Sequence, residues 1–108
     1  MNIYCAGDIV RFEVDVENCK AIQFKALVLS DSKFNALGMA LVAPIVKGPV
    51  GRFEGVAVHL RDSGQKDYAL LNLVRTLDLS ERAARAIDRV SPAVMEESKA
   101  ILRAINGL

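Results

Sequence analysis

The sequence predicts a mainly β fold, a small barrel of short antiparallel strands with a C-terminal α-helix. Three observations predict it. Residues 8–14 read Asp-Ile-Val-Arg-Phe-Glu-Val, in which Val10, Phe12 and Val14 alternate with Ile9, Arg11 and Glu13, the pattern of a strand with one apolar and one polar face. Residues 24–30 form an almost unbroken apolar run, which suits a strand buried on both faces at the centre of the sheet. After Ser91-Pro92, apolar residues recur on one side at Val94, Met95, Ile101, Leu102 and Ile105, as a helix packed against the barrel or a partner requires.

The elements follow in order. Gly7 starts the first strand, and a polar stretch over residues 15–23 leads to the second. Ser30-Asp31-Ser32 caps a short helical turn holding Phe34 and Leu37, and Gly38 ends it, because side-chain oxygens satisfy the free amides at a helix start and glycine accepts a left-handed stop. Residues 39–44 form the next strand, residues 47–51 (Lys-Gly-Pro-Val-Gly) a loop, and residues 53–60 an alternating strand with Val56 and Val58 on one face. Residues 61–67 are a polar loop. Residues 68–73 and 74–79 are two further buried strands, making six in all, and residues 80–82 turn the chain. In the final helix Ser91 is the N-cap, Pro92 fits the first helical position, Glu96 and Glu97 lie toward the positive end of the dipole, and Arg103 suits the negative end.

With 108 residues the chain is expected to be a single domain, residues 1–108, long enough to bury over half of its unfolded surface. Hydrophobic residues make up 52% and Trp is absent, so the core is expected to be Val, Leu, Ile and Ala, with Phe12, Phe24, Phe34 and Phe53 as its bulky members. So apolar a small chain is expected to use part of that surface for self-association, as a homodimer. Fourteen basic against thirteen acidic residues, a net charge of +1, exclude a uniformly basic protein that holds nucleic acid by phosphate contacts alone, though not a local basic patch. Cys5 and Cys19 have no Cys-x-x-Cys spacing and the first residues lack a basic segment followed by an apolar stretch, so a cytoplasmic protein without membrane attachment is expected. One histidine, His59, and two distant cysteines give no metal-ligand pattern, so no metal or cofactor is expected.

The buried strand leading into Ser30-Asp31-Ser32-Lys33-Phe34-Asn35, the Val42-Ala43-Pro44 strand end, Arg75-Thr76-Leu77-Asp78, and Arg89-Val90-Ser91-Pro92 before the last helix occur in this order. Together they resemble the MazF/PemK toxins of bacterial toxin–antitoxin pairs over nearly the whole chain. The resemblance implies an SH3-like barrel, similar to that of the gyrase-poisoning CcdB toxins, a homodimer, and a cognate antitoxin as partner. It also implies metal-independent cleavage of single-stranded RNA: the 2′-hydroxyl attacks the adjacent phosphate, a base and an acid move protons, and a cation steadies the charge.

The resemblance also locates the expected site, and several of its positions hold other residues here. The family's Gly-x-Arg-Pro falls at the end of residues 19–25, with Phe24 at the arginine and Lys25 at the proline. Its Pro-x-Thr is Pro44-Ile45-Val46, and the Arg and Asp that one branch uses on the following strand become Leu70 and Asn72. Lys25, Lys47 and Asn72 are therefore the candidates for catalysis, and Lys20, Gln23 and Arg75 those for substrate binding. Lys25 and Lys47 would grip a phosphate if both face one groove, and a one-residue shift would let Lys25 stand for the arginine; solvated edge lysines are the alternative. Asn72, inside an apolar run, is either a satisfied buried amide or open to a pocket. Arg75 either meets RNA or pairs with Asp78 or Glu81. His59 either transfers protons near neutral pH or is a plain surface residue. Arg11 and Glu13 read as a solvated strand face. Two functional classes remain: an endoribonuclease toxin with an altered site, and a non-catalytic protein on the same fold that inhibits DNA gyrase or only binds the antitoxin.

Overall fold

Seven strands and a C-terminal helix form among the residues that the computed structural model describes, 3–14, 22–61, 66–81 and 83–107. They are β1 (Asp8–Val14), β2 (Ile22–Val28), α1 (Ser32–Asn35), β3 (Met39–Lys47), β4 (Ala57–His59), β5 (Asp67–Leu70), β6 (Arg75–Asp78), β7 (Arg85–Arg89) and α2 (Pro92–Asn106). Every pairing is antiparallel. The strand order is β4-β5-β3-β2-β1-β7, with β6 also paired to β3. Strand β3 meets three neighbours: Pro44 pairs with Ala26 in β2, Val42 with Arg75 in β6, and Lys47 with Asp67 in β5.

Successive side chains of a strand point to opposite faces, and β3 supplies a core on each. On one side Ala43 and Ile45 pack with Ile9, Leu27 and Ala69 under Val94 and Met95 of α2. On the other, Ala40 and Val42 pack with Val10, Phe12, Ala26 and Val28. Helix α2 begins as expected: the Ser91 hydroxyl accepts from the Val94 amide at 3.4 Å, Pro92 is in the first turn, and Gly107 closes the helix at φ +71°. Val94, Met95 and Ser98 are buried and Ile101 and Leu102 half-buried, but Ile105 is 44% exposed, so the apolar stripe outruns the sheet it covers. The Ser98 hydroxyl fits this apolar contact because it donates to the Val94 carbonyl at 2.8 Å.

Several expectations change. The strand expected over residues 53–60 is a 3-10 helix, Gly51–Val56, followed by the three-residue β4; Gly51, at φ +56°, turns the chain before any extended run begins. The strand expected over residues 68–73 stops at Leu70, and Leu71–Leu73 form a 3-10 turn. The seventh strand, β7, was not expected: all five of its residues are exposed, so it has no apolar alternation to read. Phe12 is buried, whereas Phe24 and Phe34 are exposed and Phe53 is half-buried, so the phenylalanines are not the bulk of the core. In α1 the Asp31 carboxylate accepts from the Lys33 amide at 3.0 Å, but Phe34 and Leu37 point outward and Asn35 is the buried residue. No helix among the described residues is long and apolar enough to cross a membrane.

Asn35 ties three segments together. Its side-chain amide donates to the carbonyls of Tyr4 at 2.7 Å and Ser30 at 2.9 Å, and its oxygen accepts from the Ser30 hydroxyl, which in turn accepts from the Leu41 amide. Replacing Asn35 by Ala strands these buried partners, a loss of about 1–3 kcal/mol. Thermal denaturation of Asn35→Ala is expected to show a midpoint lowered by roughly 4–8 °C per kcal/mol lost.

Candidate functional site

The strand registers sort the candidate residues onto two faces. In the β1–β2 ladder Phe12 faces Phe24 and Arg11 faces Lys25. Phe24 and Lys25 are adjacent, so they project to opposite sides. Lys25 therefore faces away from Phe24, toward the side of Arg11.

On the Phe24 side the rings of Phe12 and Phe24 stack with centroids 5.9 Å apart. The β3–β5 ladder places Val46 opposite Tyr68, and the β4–β5 ladder places Tyr68 opposite His59, whose ring centroid lies 5.0 Å from that of Tyr68. The β2–β3 ladder ends at Ala26 and Pro44, and alternation along each strand sends Phe24 and Val46 to the same side of the sheet as that pair. One side of the sheet thus carries a row in two parts, the Phe12–Phe24 pair on β1 and β2 and the Val46, Tyr68 and His59 set on β3, β5 and β4. Gly48 leaves room for it: a Cβ there would come within 2.6 Å of the Tyr68 ring. Beside the row lies an open groove of about 490 Å³, lined by Phe12, Phe24, Val42, Pro44, Leu73 and Arg75 among others. Phe24 is 44% exposed in this groove. Arg75 is the one charged residue in the lining among the described residues. It forms no ion pair there: Asp78 accepts from the Ser80 amide and hydroxyl instead, and the side chain of Glu81 lies outside the described residues. The pairing of Arg75 with Asp78 is thereby corrected.

On the opposite side, Lys25 Nζ lies 3.3 Å from Asp67 Oδ2 and Lys47 Nζ 3.9 Å from Asp67 Oδ1. The structure thus brings the two lysines together, but onto a carboxylate that is 8% exposed, while Lys47 is 85% exposed. Asp67 was not a sequence candidate, because at the end of a polar loop nothing marks it as buried. Its pairing fastens β2 to β5 across β3. Gln23 lies farther along, exposed, on an opening of about 250 Å³ that it shares with Arg11, Glu13 and Arg85. Asn72 is exposed in the 3-10 turn, so the buried-amide reading is corrected: the apolar run around it bends into a turn instead of continuing as a strand. Lys20 lies outside the described residues.

The groove side can therefore stack planar apolar groups, offer a cation at Arg75, and exchange protons at the His59–Tyr68 end. Among the described residues no group of three or more His, Cys, Asp or Glu is placed to hold a metal ion.

Residues 6–105 match the family described as "PemK-like, MazF-like toxin of type II toxin-antitoxin system". The chain is 41% identical over 83 residues to the endoribonuclease toxin ChpB of Escherichia coli strain K12, a match spanning 74% of this chain and 72% of that protein. A MazE-MazF crystal structure from Deinococcus radiodurans aligns with a TM-score of 0.88 at 22% identity, over 100% of this chain and 99% of that one. An endoribonuclease in complex with its cognate antitoxin from a mycobacterial species aligns with a TM-score of 0.75 at 20% identity, over 100% and 97% of the two chains. At such identities the structural likeness establishes the fold, a mainly β MazF architecture with a C-terminal helix. The family match extends over nearly the whole sequence, and with it the chain belongs to the PemK/MazF-like toxins of type II toxin–antitoxin systems.

Proposed function

We propose that this toxin is an endoribonuclease that binds single-stranded RNA across the row Phe12-Phe24-Val46-Tyr68-His59 and is held in check by a cognate antitoxin. Phe24, the exposed ring of the row, carries the reading, because unpaired bases stack on exposed aromatic rings at about 1–3 kcal/mol per base. ChpB, named an endoribonuclease toxin, and the mycobacterial endoribonuclease with its antitoxin support it. The toxin acts in the cytoplasm as a one-domain homodimer, for which exposed Ile3, Leu37, Ile87 and Ile105 offer apolar surface.

Cleavage needs no oxidant and no metal. The 2′-oxygen bonds to phosphorus as its proton passes to the His59 ring, and the bond from phosphorus to the 5′-oxygen breaks as that oxygen takes a proton from solvent, to which His59 later returns its own. The products are a 2′,3′-cyclic phosphate and a free 5′-hydroxyl. Tyr68 holds the His59 ring from one side, and Arg75 steadies the phosphate backbone along the groove. A non-catalytic toxin is the second reading, supported by the replacement of the family's polar positions with Phe24, Val46 and Leu70.

Incubation with a long single-stranded RNA in EDTA, followed by mapping of the ends, is expected to give cyclic-phosphate termini, with His59→Ala slower by about 10²- to 10⁴-fold. RNA left intact at high protein concentration would turn the account to the non-catalytic reading, with DNA gyrase as a target to assay next. An oligonucleotide methylated at every 2′-oxygen cannot be cut and reads binding alone. Phe24→Ala is expected to weaken its affinity roughly 5- to 150-fold. Gly48→Ala, by driving the Tyr68 ring off its seat, is expected to act in the same direction with a change in tyrosine near-ultraviolet dichroism.

A further inference from the structure

Arg11 has a cation directly opposite it on each side: Lys25 in β2 and Arg85 in β7. Like charges directly opposed across a sheet are unfavourable. Neither Arg11 nor Arg85 has a carboxylate within ion-pair distance among the described residues. The neighbouring Glu13 faces Gln23 instead. Lys25 shares the single charge of Asp67 with Lys47. Among the described residues the region thus holds four cations, Arg11, Lys25, Lys47 and Arg85, against two carboxylates, Glu13 and Asp67, in a chain whose net charge is only +1. Positive charge is concentrated here.

We propose that Arg85, Arg11 and Lys25 form a track for the phosphate backbone of RNA, on the side of the sheet opposite the aromatic row. Three strands spaced about 4.8 Å apart present the three cations in line. The opening of about 250 Å³ beside them is lined by Arg11, Glu13, Gln23, Arg85 and Phe12, and Phe12 also lines the groove of the aromatic row. A strand leaving that groove past Phe12 meets the cations next, so its bases are held on one face and its phosphates on the other. Phosphodiester anions complement the track because it gathers several cations around weakly hydrated guanidinium groups, and the one ring beside it, Phe12, is buried. The inference rests on the single-stranded RNA reading and assigns the surface that handles the flanking backbone.

The test measures binding of a fluorescent, fully 2′-O-methylated 20-mer across a salt series, for the intact protein and for the double variant Arg11→Gln, Arg85→Gln. Losing two phosphate contacts is expected to reduce the slope of log affinity against log salt by about 1.4 and to weaken uridine-only and mixed sequences equally. The double variant Arg11→Lys, Arg85→Lys is expected to keep the original slope, which separates lost charge from a damaged fold. Phe24→Ala is expected to lower affinity with the slope unchanged. An unchanged slope in the Gln variant, with binding by the intact protein, overturns the track and leaves the aromatic row standing. No binding by the intact protein at any salt overturns both. Loss of binding to a poly-glutamate peptide in the Gln variant, with an unchanged RNA slope, would give the track to an acidic protein partner and overturn the proposal.

Discussion

The structure depends on the two-residue alternation of β3. This nine-residue strand pairs with β2, β5 and β6, so a slip of one position would exchange every side chain it sends to each face. Its apolar residues make such a slip costly: Ala43 and Ile45 belong under α2, and Ala40 and Val42 belong with Val10 and Val28. The ion pairs of Asp67 with Lys25 and Lys47 hold the same register from the polar end. Once β3 is seated, the partition of the molecule into a groove side and a cationic side follows.

That partition underlies the proposed RNA reading, in which stacking takes the part of the polar side chains that the family resemblance implies. Phe24 and Val46 stand where the resemblance implies an arginine and a hydroxyl, on the side that carries the Phe12–Phe24 and Tyr68–His59 ring contacts. Binding shifts from point charges toward stacking, which tolerates any base. Charge does not vanish; it moves one residue along the strand, to Lys25 and its neighbours on the reverse side. A net charge of +1 conceals this arrangement because acidic residues elsewhere cancel it.

Elements with strong local signals were legible in the sequence. β1 runs over residues 8–14 as its alternation dictates, and Ser91-Pro92 starts α2 where the capping chemistry demands. Apolar runs misled where periodicity carries no information: residues 68–73 read as one strand, yet the chain bends at Leu71 because both forms bury leucines equally well. β7 was hidden because an edge strand exposed on both faces needs no apolar residue. Lys25 and Lys47 both reach Asp67, a carboxylate that could be found only through the β3–β5 register. Arg75 lines the groove, and the neighbourhood of His59 could be read only once β4 placed it beside Tyr68.

The central claim is that single-stranded RNA lies on the aromatic row. Its most direct test is photocrosslinking of an uncleavable oligonucleotide containing 4-thiouridine, with the adducts mapped by peptide mass spectrometry. The account predicts adducts at Phe24 and Tyr68 that disappear on competition with unlabelled oligonucleotide. Competable adducts confined to α2 or to β6 beyond Arg75, with none on the row, would contradict it.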